Sequence, residues 1–302
     1  MEIAVTGSSG LIGAALCARL EGRGDTVRRL VRRQPGTDLE IRWDPERGLL
    51  DPGSLEGVEA VVHLAGAGIA NRRWTRSRMD LILGSRTRGT HLISSAMAEA
   101  AEPDGGPVVL VSGSAIGYYG DRGDELLDET SVRGGGFLAD VCAAWEEATR
   151  MAELAGIRVV HARTGVVVSA RGGLLAAQLP LFRLGLGGPL GPGTQSMSWI
   201  SLEDEVGALC WLIDNEVSGP VNLVAPEPAT NAEFAASLGA ALGRPARIRT
   251  PAALPSVIFG KKLVRELMLS SAVVRPGVLV EGGYRFTDPS LEEMLKTELR
   301  LP

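Results

Sequence analysis

"AVTGSSGLIGAAL", Ala4 to Leu16, runs from a short apolar stretch into a helical pattern through three glycines, Gly7, Gly10 and Gly13, in the spacing G-x-x-G-x-x-G. Each glycine meets a separate demand: a tight turn, a backbone that must approach a pyrophosphate, and a helix pressed close on a sheet. A helix starting near Leu11 turns its free N–H groups and the positive end of its dipole toward that pyrophosphate. At the first strand-to-helix junction of the chain, the stretch predicts a dinucleotide cradle made by Gly7, Ser8, Ser9, Gly10, Leu11, Ile12 and Gly13.

The next segments repeat the alternation that this junction begins. Strand candidates are "EIAVTG", "TVRRLVR", "AVVHLAG", "PVVLVSG" and "IRVVHARTGVVVS", and apolar residues recur at helical spacing over 11–23, 76–100 and 137–156. Such alternation marks a parallel sheet covered on both faces. The expected fold is α/β, a Rossmann-like doubly wound parallel sheet with a small C-terminal substrate-side lobe. The division is placed at residue 172: a dinucleotide-binding core over 1–172, whose sheet continues beyond it, and a mixed lobe over 173–302. Within the lobe, "RLGLGGPLGPGTQ" is too rich in glycine and proline for a regular element and reads as a long loop. A strand and helix in "SWISLEDEVGALCWLI", a strand in "GPVNLVAP", a helix from Asn231 and a helical tail with "VIFGKKLVRELML" follow.

The chain has 302 residues, 45% of them hydrophobic, and a formal net charge of -5, so nucleic acid is not an expected partner and neither is an anionic membrane. Cys17, Cys142 and Cys210 are far apart, and His63, His91 and His161 are dispersed, which predicts neither disulfides nor a metal site. The acidic stretch "GDRGDELLDE" reads as a solvated loop. No run is apolar and long enough to span a bilayer, and the opening "MEIAVTG" reads as a strand, so the expected location is the cytoplasm.

The second strand candidate ends at Val31, Arg32 and Arg33, where an NAD enzyme usually offers a carboxylate to the adenosine ribose. A carboxylate would repel a 2'-phosphate, whereas guanidinium groups grip it by charge-assisted bonds. The expected cofactor is NADP(H); the alternative for the two arginines is a solvated strand end.

With "TGSSGLIG", "HLAG", "SRTRGT" and "SGSAIGYYG" in this order, the chain resembles the extended short-chain dehydrogenases/reductases, the group of sugar-nucleotide epimerases and dehydratases. "RRWT", "FLADVCAAWEEAT", "RTGVVVS", "FRLGLGGPLGPGTQSMSWISLEDEV" and "GPVNLVAPEPATNAEF" narrow the resemblance to the atypical YfcH-like (SDR39U1-like) members, NAD-dependent epimerase/dehydratase family proteins with a DUF1731 C-terminal segment. The resemblance implies that Leu64, Ala65 and Gly66 lie along the cofactor, that Arg86 reaches toward it, and that Thr164 and Gly165 border the nicotinamide. It also implies a small-molecule substrate, anionic or nucleotide-linked, and a monomer or a homodimer.

The catalytic positions depart from the family. Extended reductases use a serine and a Tyr-x-x-x-Lys helix, in which lysine lowers the pKa of the tyrosine that passes the proton. Ser114 matches the serine, but the tyrosine and lysine positions hold Phe137 and Val141. Tyr118 and Tyr119 follow Ser114 and are candidates for a relocated acid or for aromatic packing at the pocket mouth. Glu146 and Glu147 offer a carboxylate base or two solvated acids beside a buried Trp145. Arg183 and Trp199 flank the glycine-rich loop on the expected substrate side, and Ser201 with Asp204 reads as a helix start.

Overall fold

The computed structural model describes residues 1–70, 72–101 and 106–299. Its chain begins β1 (Glu2–Thr6), α1 (Leu11–Gly22), β2 (Thr26–Val31), β3 (Glu40–Asp44), β4 (Leu49–Leu50), β5 (Ala60–His63), α2 (Arg76–Ala100) and β6 (Val109–Ala115). After the short β7 (Leu126–Leu127) come α3 (Phe137–Glu147), α4 (Arg150–Leu154), β8 (Arg158–Thr164), β9 (Val166–Ser169) and α5 (Gly173–Arg183). The remainder is β10 (Ser196–Met197), β11 (Trp199–Ser201), α6 (Leu202–Asp214), β12 (Gly219–Leu223), β13 (Ala229–Thr230), α7 (Asn231–Ala241), α8 (Ala253–Phe259), α9 (Lys261–Leu263), β14 (Val273–Val274), α10 (Gly277–Glu281) and α11 (Leu291–Glu298).

Eight strands form one sheet in the order β12-β8-β6-β5-β1-β2-β3-β4, parallel throughout except for β4. Every residue of β5 is buried, as a strand covered on both faces requires. One apolar layer joins the sheet to α1 and α6, and a second joins its other face to α2 and α4. The strand order reverses between β1 and β5, so the cradle after β1 opens at the carboxyl edge where ligands of such sheets bind.

Three local features differ from the sequence reading. The candidate helix over 137–156 is two helices, because the buried Thr149 hydroxyl donates to the Glu146 carbonyl at 2.7 Å and competes with the helical ladder. The long strand candidate over 157–169 breaks at Gly165, where a Cβ would stand 2.5 Å from the Ser198 carbonyl oxygen; β8 stays in the main sheet and β9 leaves it to pair with β11. The tail breaks at Gly260, whose φ of +87° a side-chain-bearing residue rarely adopts. The segment "EIRWD", which forms β3, was not among the strand candidates; Ile41 and Trp43 point inward and Arg42 between them outward. The stretch 184–195 contains no helix or extended strand, as its glycines and prolines predict.

Candidate active site

The turn after β1 is closed by Gly10 N–H donating to the Gly7 carbonyl at 2.9 Å. Gly7 has φ +67°, and a Cβ on Gly13 would lie 2.2 Å from that same carbonyl oxygen, so both positions are confined to glycine by the protein itself. Gly10 differs. A Cβ there would meet only the Gly7 carbonyl oxygen, at 3.3 Å, and otherwise open space. Ser9 and Gly10 are exposed, Ser8, Leu11 and Ile12 are half-buried, and no side chain caps the N-terminus of α1. A bare helix N-terminus beneath a glycine that opens outward fits a dinucleotide pyrophosphate.

At the end of β2, Arg33 is committed: its guanidinium pairs with both oxygens of Glu40, and one contact is 2.8 Å. Arg32 is exposed and forms no hydrogen bond or ion pair with the described residues, while Val31 is half-buried beside it. Of the two arginines, Arg32 is the one available to a 2'-phosphate.

The backbone over 64–66 is set from below. The Thr6 hydroxyl accepts from the N–H groups of Leu64 and Ala65 at 3.1 and 3.2 Å, and contacts His63 Nδ1 at 2.8 Å. Burial, with a smaller push from Arg86, lowers the His63 pKa to about 3 and keeps the ring neutral. Arg86 on α2 lies over this backbone, donating to the Ala67 carbonyl at 3.0 Å with its guanidinium 4.9 Å from the Trp145 ring centroid. A Cβ on Gly66 would come within 3.1 Å of it.

Parallel register puts a polar row across three strands: Ser114 on β6 is opposite Arg163 on β8, which is opposite Asn222 on β12. Glu146 descends on this row from α3. Ser114 Oγ donates to Glu146 Oε1 at 2.7 Å, and Arg163 holds both carboxylate oxygens at 2.8 Å. Arg163 also donates to the Tyr119 hydroxyl at 3.0 Å, which donates to Asn222 Oδ1 at 2.7 Å. Burial disfavours the Arg163 charge, but the bonded Glu146 carboxylate outweighs it and carries the pKa upward, so the guanidinium stays protonated. Tyr119 is fully buried, and burial raises its pKa. Tyr118 is half-buried, with its ring centroid 3.6 Å from the Arg163 guanidinium carbon.

The sequence reading brought Ser114, Tyr118 and Tyr119 together, weighed Glu146, and missed Arg163 and Asn222. A signal for Arg163 existed: with Val159 and Val160 marking the run as a strand of a sheet covered on both faces, an arginine near its carboxyl end is expected to be buried, and a buried charge requires a partner. The two tyrosines are not equivalent. Tyr119 is locked inside the row, and only Tyr118 retains accessible surface.

Phe137 and Val141 belong to an apolar cluster with Trp74 and Leu263. The Trp74 and Phe137 rings meet edge to face with centroids 5.2 Å apart. Trp199 is fully buried with its indole N–H on the Glu227 carbonyl, and therefore does not line a substrate surface; Arg183 is exposed. Asp204 closes the start of α6 by accepting from the backbone N–H groups of Thr287 and Asp288, both at 2.8 Å. On the opposite face of the sheet, Thr164 at the end of β8 donates to the fully buried Glu205 at 2.8 Å, and burial pushes the Glu205 carboxyl up to about 8. Gly165 completes that strand end. The acidic stretch is not wholly a solvated loop: Asp128 accepts locally from Thr130, but Glu129 ties the stretch to β12 and α10 by accepting from the N–H groups of Asn222 and Val278.

Residues 3–224 match the model of the NAD dependent epimerase/dehydratase family, and residues 250–298 match a domain of unknown function, DUF1731. The chain is 45% identical over 294 residues to epimerase family protein MT2273 of Mycobacterium tuberculosis, spanning 97% of this chain and 96% of that one. It is 38% identical to human epimerase family protein SDR39U1 over 300 residues, covering 98% and 99% of the two chains. Its fold superposes on the crystal structure of human SDR39U1 (isoform 2) with NADPH at a TM-score of 0.91 and 36% identity, over 100% of both chains.

Proposed function

Since the chain belongs to the NAD dependent epimerase/dehydratase family, we propose that it is an NADP(H)-dependent oxidoreductase or epimerase-like enzyme in which Ser114 and Glu146 do the proton work that the Tyr-x-x-x-Lys pair does elsewhere. One observation carries this reading: the Ser114 hydroxyl at the ligand edge of the sheet is hydrogen-bonded at 2.7 Å to a carboxylate that Arg163 holds in place with two bonds. Because Ser114 gives its proton to Glu146, its oxygen lone pairs are left to accept from a substrate hydroxyl. As the substrate becomes a carbonyl, its hydroxyl proton passes to Ser114 and the serine proton to Glu146. The bound dinucleotide supplies the acceptor for the hydride that leaves the same carbon. Arg163 moves no proton; it holds the carboxylate and balances its charge. Tyr118, over Arg163, shapes the mouth, and Tyr119 braces the row. In this reading residues 1–172 form the dinucleotide-binding core, 173–302 the substrate-side lobe, and the protein works in a reducing cytoplasm. The test is NADPH consumption, followed by absorbance, against a panel of aldehydes and ketones.

NADP(H) is the cofactor, supported by the NADPH in the human relative's structure and by the unpaired Arg32 at the end of β2. NADPH is expected to bind more tightly than NADH. Arg32→Ala is expected to cost about 1.5 to 3 kcal/mol of NADPH affinity and to leave NADH unchanged. Arg33→Ala has a smaller effect, since that side chain is held by Glu40. Calorimetric titration of the three proteins decides the point, and equal affinities of the wild type for both dinucleotides would refute it.

A second reading is favoured by the apolar cluster around Phe137 and Val141, which fills the place of the usual proton donor with side chains that have no proton to give. It is a protein that binds NADP(H) without turnover and whose state reports the cofactor ratio. Failure of the whole carbonyl panel, with cofactor binding intact, selects it.

A further inference from the structure

The charges of this chain are segregated. Residues 171–202 and 234–265 contain eight arginines and lysines and no aspartate or glutamate, although the whole chain carries 36 acids and a net charge of -5. The two stretches are stitched together in space. Ile248 N–H donates to the Gly187 carbonyl at 3.2 Å, Thr250 N–H to Pro189 at 2.8 Å, and Gly191 N–H to Thr250 at 2.8 Å.

The surface they share also carries apolar side chains in the open. Leu184 is 72% exposed, Leu186 51% and Ile248 50%. Just beyond, α8 has no buried residue, and Leu254, Val257 and Ile258 are 61%, 78% and 67% exposed. Cations alternate with these side chains: Arg183 precedes Leu184, Arg247 and Arg249 flank Ile248, and the exposed Lys261 follows α8, while Lys262 turns inward over the Phe137 ring. Arg73, from the loop before α2, extends the cationic side, packing at Gly260.

A monomer rarely leaves so many large apolar side chains together without a use. A partner for this face has to take up apolar groups and offer negative charge at once. Nucleic acid offers the charge without an apolar layer. An anionic bilayer surface offers both, headgroup phosphates for the guanidinium and ammonium groups and acyl chains just beneath for leucine, valine and isoleucine. We infer that the face built from residues 183–191 and 244–262 docks on an anionic lipid surface. Surface docking needs no spanning segment, and no helix of the described residues is long and apolar enough to cross a membrane. Phe259, at the end of α8, packs inward in the cluster of Phe137 and Trp74, which anchors this face to α3.

The test is co-sedimentation of the full chain with phosphatidylcholine vesicles and with vesicles of phosphatidylcholine and phosphatidylglycerol. The wild type is expected to sediment with the anionic vesicles alone and to be released by salt. Val257→Ser with Ile258→Ser, and separately Arg249→Gln with Lys261→Gln, should each lower the bound fraction at least about tenfold, as expected when apolar insertion and headgroup charge are both needed for stable anchoring. Retained thermal stabilisation by NADP+ shows that the variants are folded. The inference is overturned by no binding to either vesicle, by equal binding to both, by unaltered binding of both variants, or by a dimer in light scattering that the Val257→Ser/Ile258→Ser variant dissociates.

Discussion

Gly10→Val is expected to abolish binding of NADPH and NADH alike while leaving the protein folded. Gly10 has φ -78° and ψ 172°, an extended conformation that valine adopts freely, and a Cβ there meets a single protein atom at 3.3 Å. Valine is a poorer N-cap than glycine, which costs the helix about 1 kcal/mol and does not unfold the protein. The branched methyl groups instead fill the outward space that a pyrophosphate needs. Gly13→Ala is the contrasting variant: its Cβ would stand 2.2 Å from the Gly7 carbonyl oxygen, so the turn itself has to give. Thermal melting separates them. With NADPH at a hundredfold excess over its Kd the wild type gains about 2.7 kcal/mol, Gly10→Val gains nothing, and Gly13→Ala melts lower before any ligand is added. An unchanged NADPH-induced shift in Gly10→Val would place the dinucleotide elsewhere.

Glu146→Gln is expected to lower turnover by about 10² to 10⁴, the usual cost of losing a positioned acid or base. The amide keeps the shape of the carboxylate and one oxygen for Arg163 and Ser114, but accepts no proton. Glu146→Ala acts on stability as well. It leaves the Arg163 charge buried without its partner, which costs about 3 to 5 kcal/mol. Ser114→Ala should match Glu146→Gln in rate and leave stability nearly unaltered, because it removes one hydrogen bond from a carboxylate that Arg163 still satisfies. Equal turnover of wild type, Glu146→Gln and Ser114→Ala would send the proton out by another route.

The cradle and the alternation of strands and helices were legible in the sequence because both are local: three glycines at fixed spacing and runs of period two or near four. β3 escaped notice because "EIRWD" has only two inward apolar residues, too short a pattern to stand out. Thr149 split α3 from α4 through a bond to its own helix and a contact with His161, and only the second depends on tertiary structure. The row Ser114–Arg163–Asn222 depends on the register of three strands that lie far apart in the chain, which no local pattern encodes. Net charge concealed the two acid-free stretches, 171–202 and 234–265, since their cations and the carboxylates of the rest cancel on averaging.

The burial of Glu205 makes its exposure on unfolding a proton-releasing event near neutrality. Glu205 has a pKa of about 8 in the folded chain against an ordinary 4.5. Its contribution to stability is therefore complete below about pH 4.5, declines as pH rises, and is gone above about pH 8. His63 acts in the opposite sense and in a lower window, from about 3 to 6.5, where the unfolded chain takes up a proton that the folded ring refuses. Between pH 6.5 and 8 the carboxyl alone of these two groups is in play. Scanning calorimetry at pH 7 in phosphate and in Tris should give unfolding enthalpies that differ by the difference between the two buffers' protonation heats, taken once for the proton that Glu205 releases. The same pair of scans on Glu205→Gln should lose that part of the difference, with a stability that no longer falls as steeply from pH 6.5 to 8.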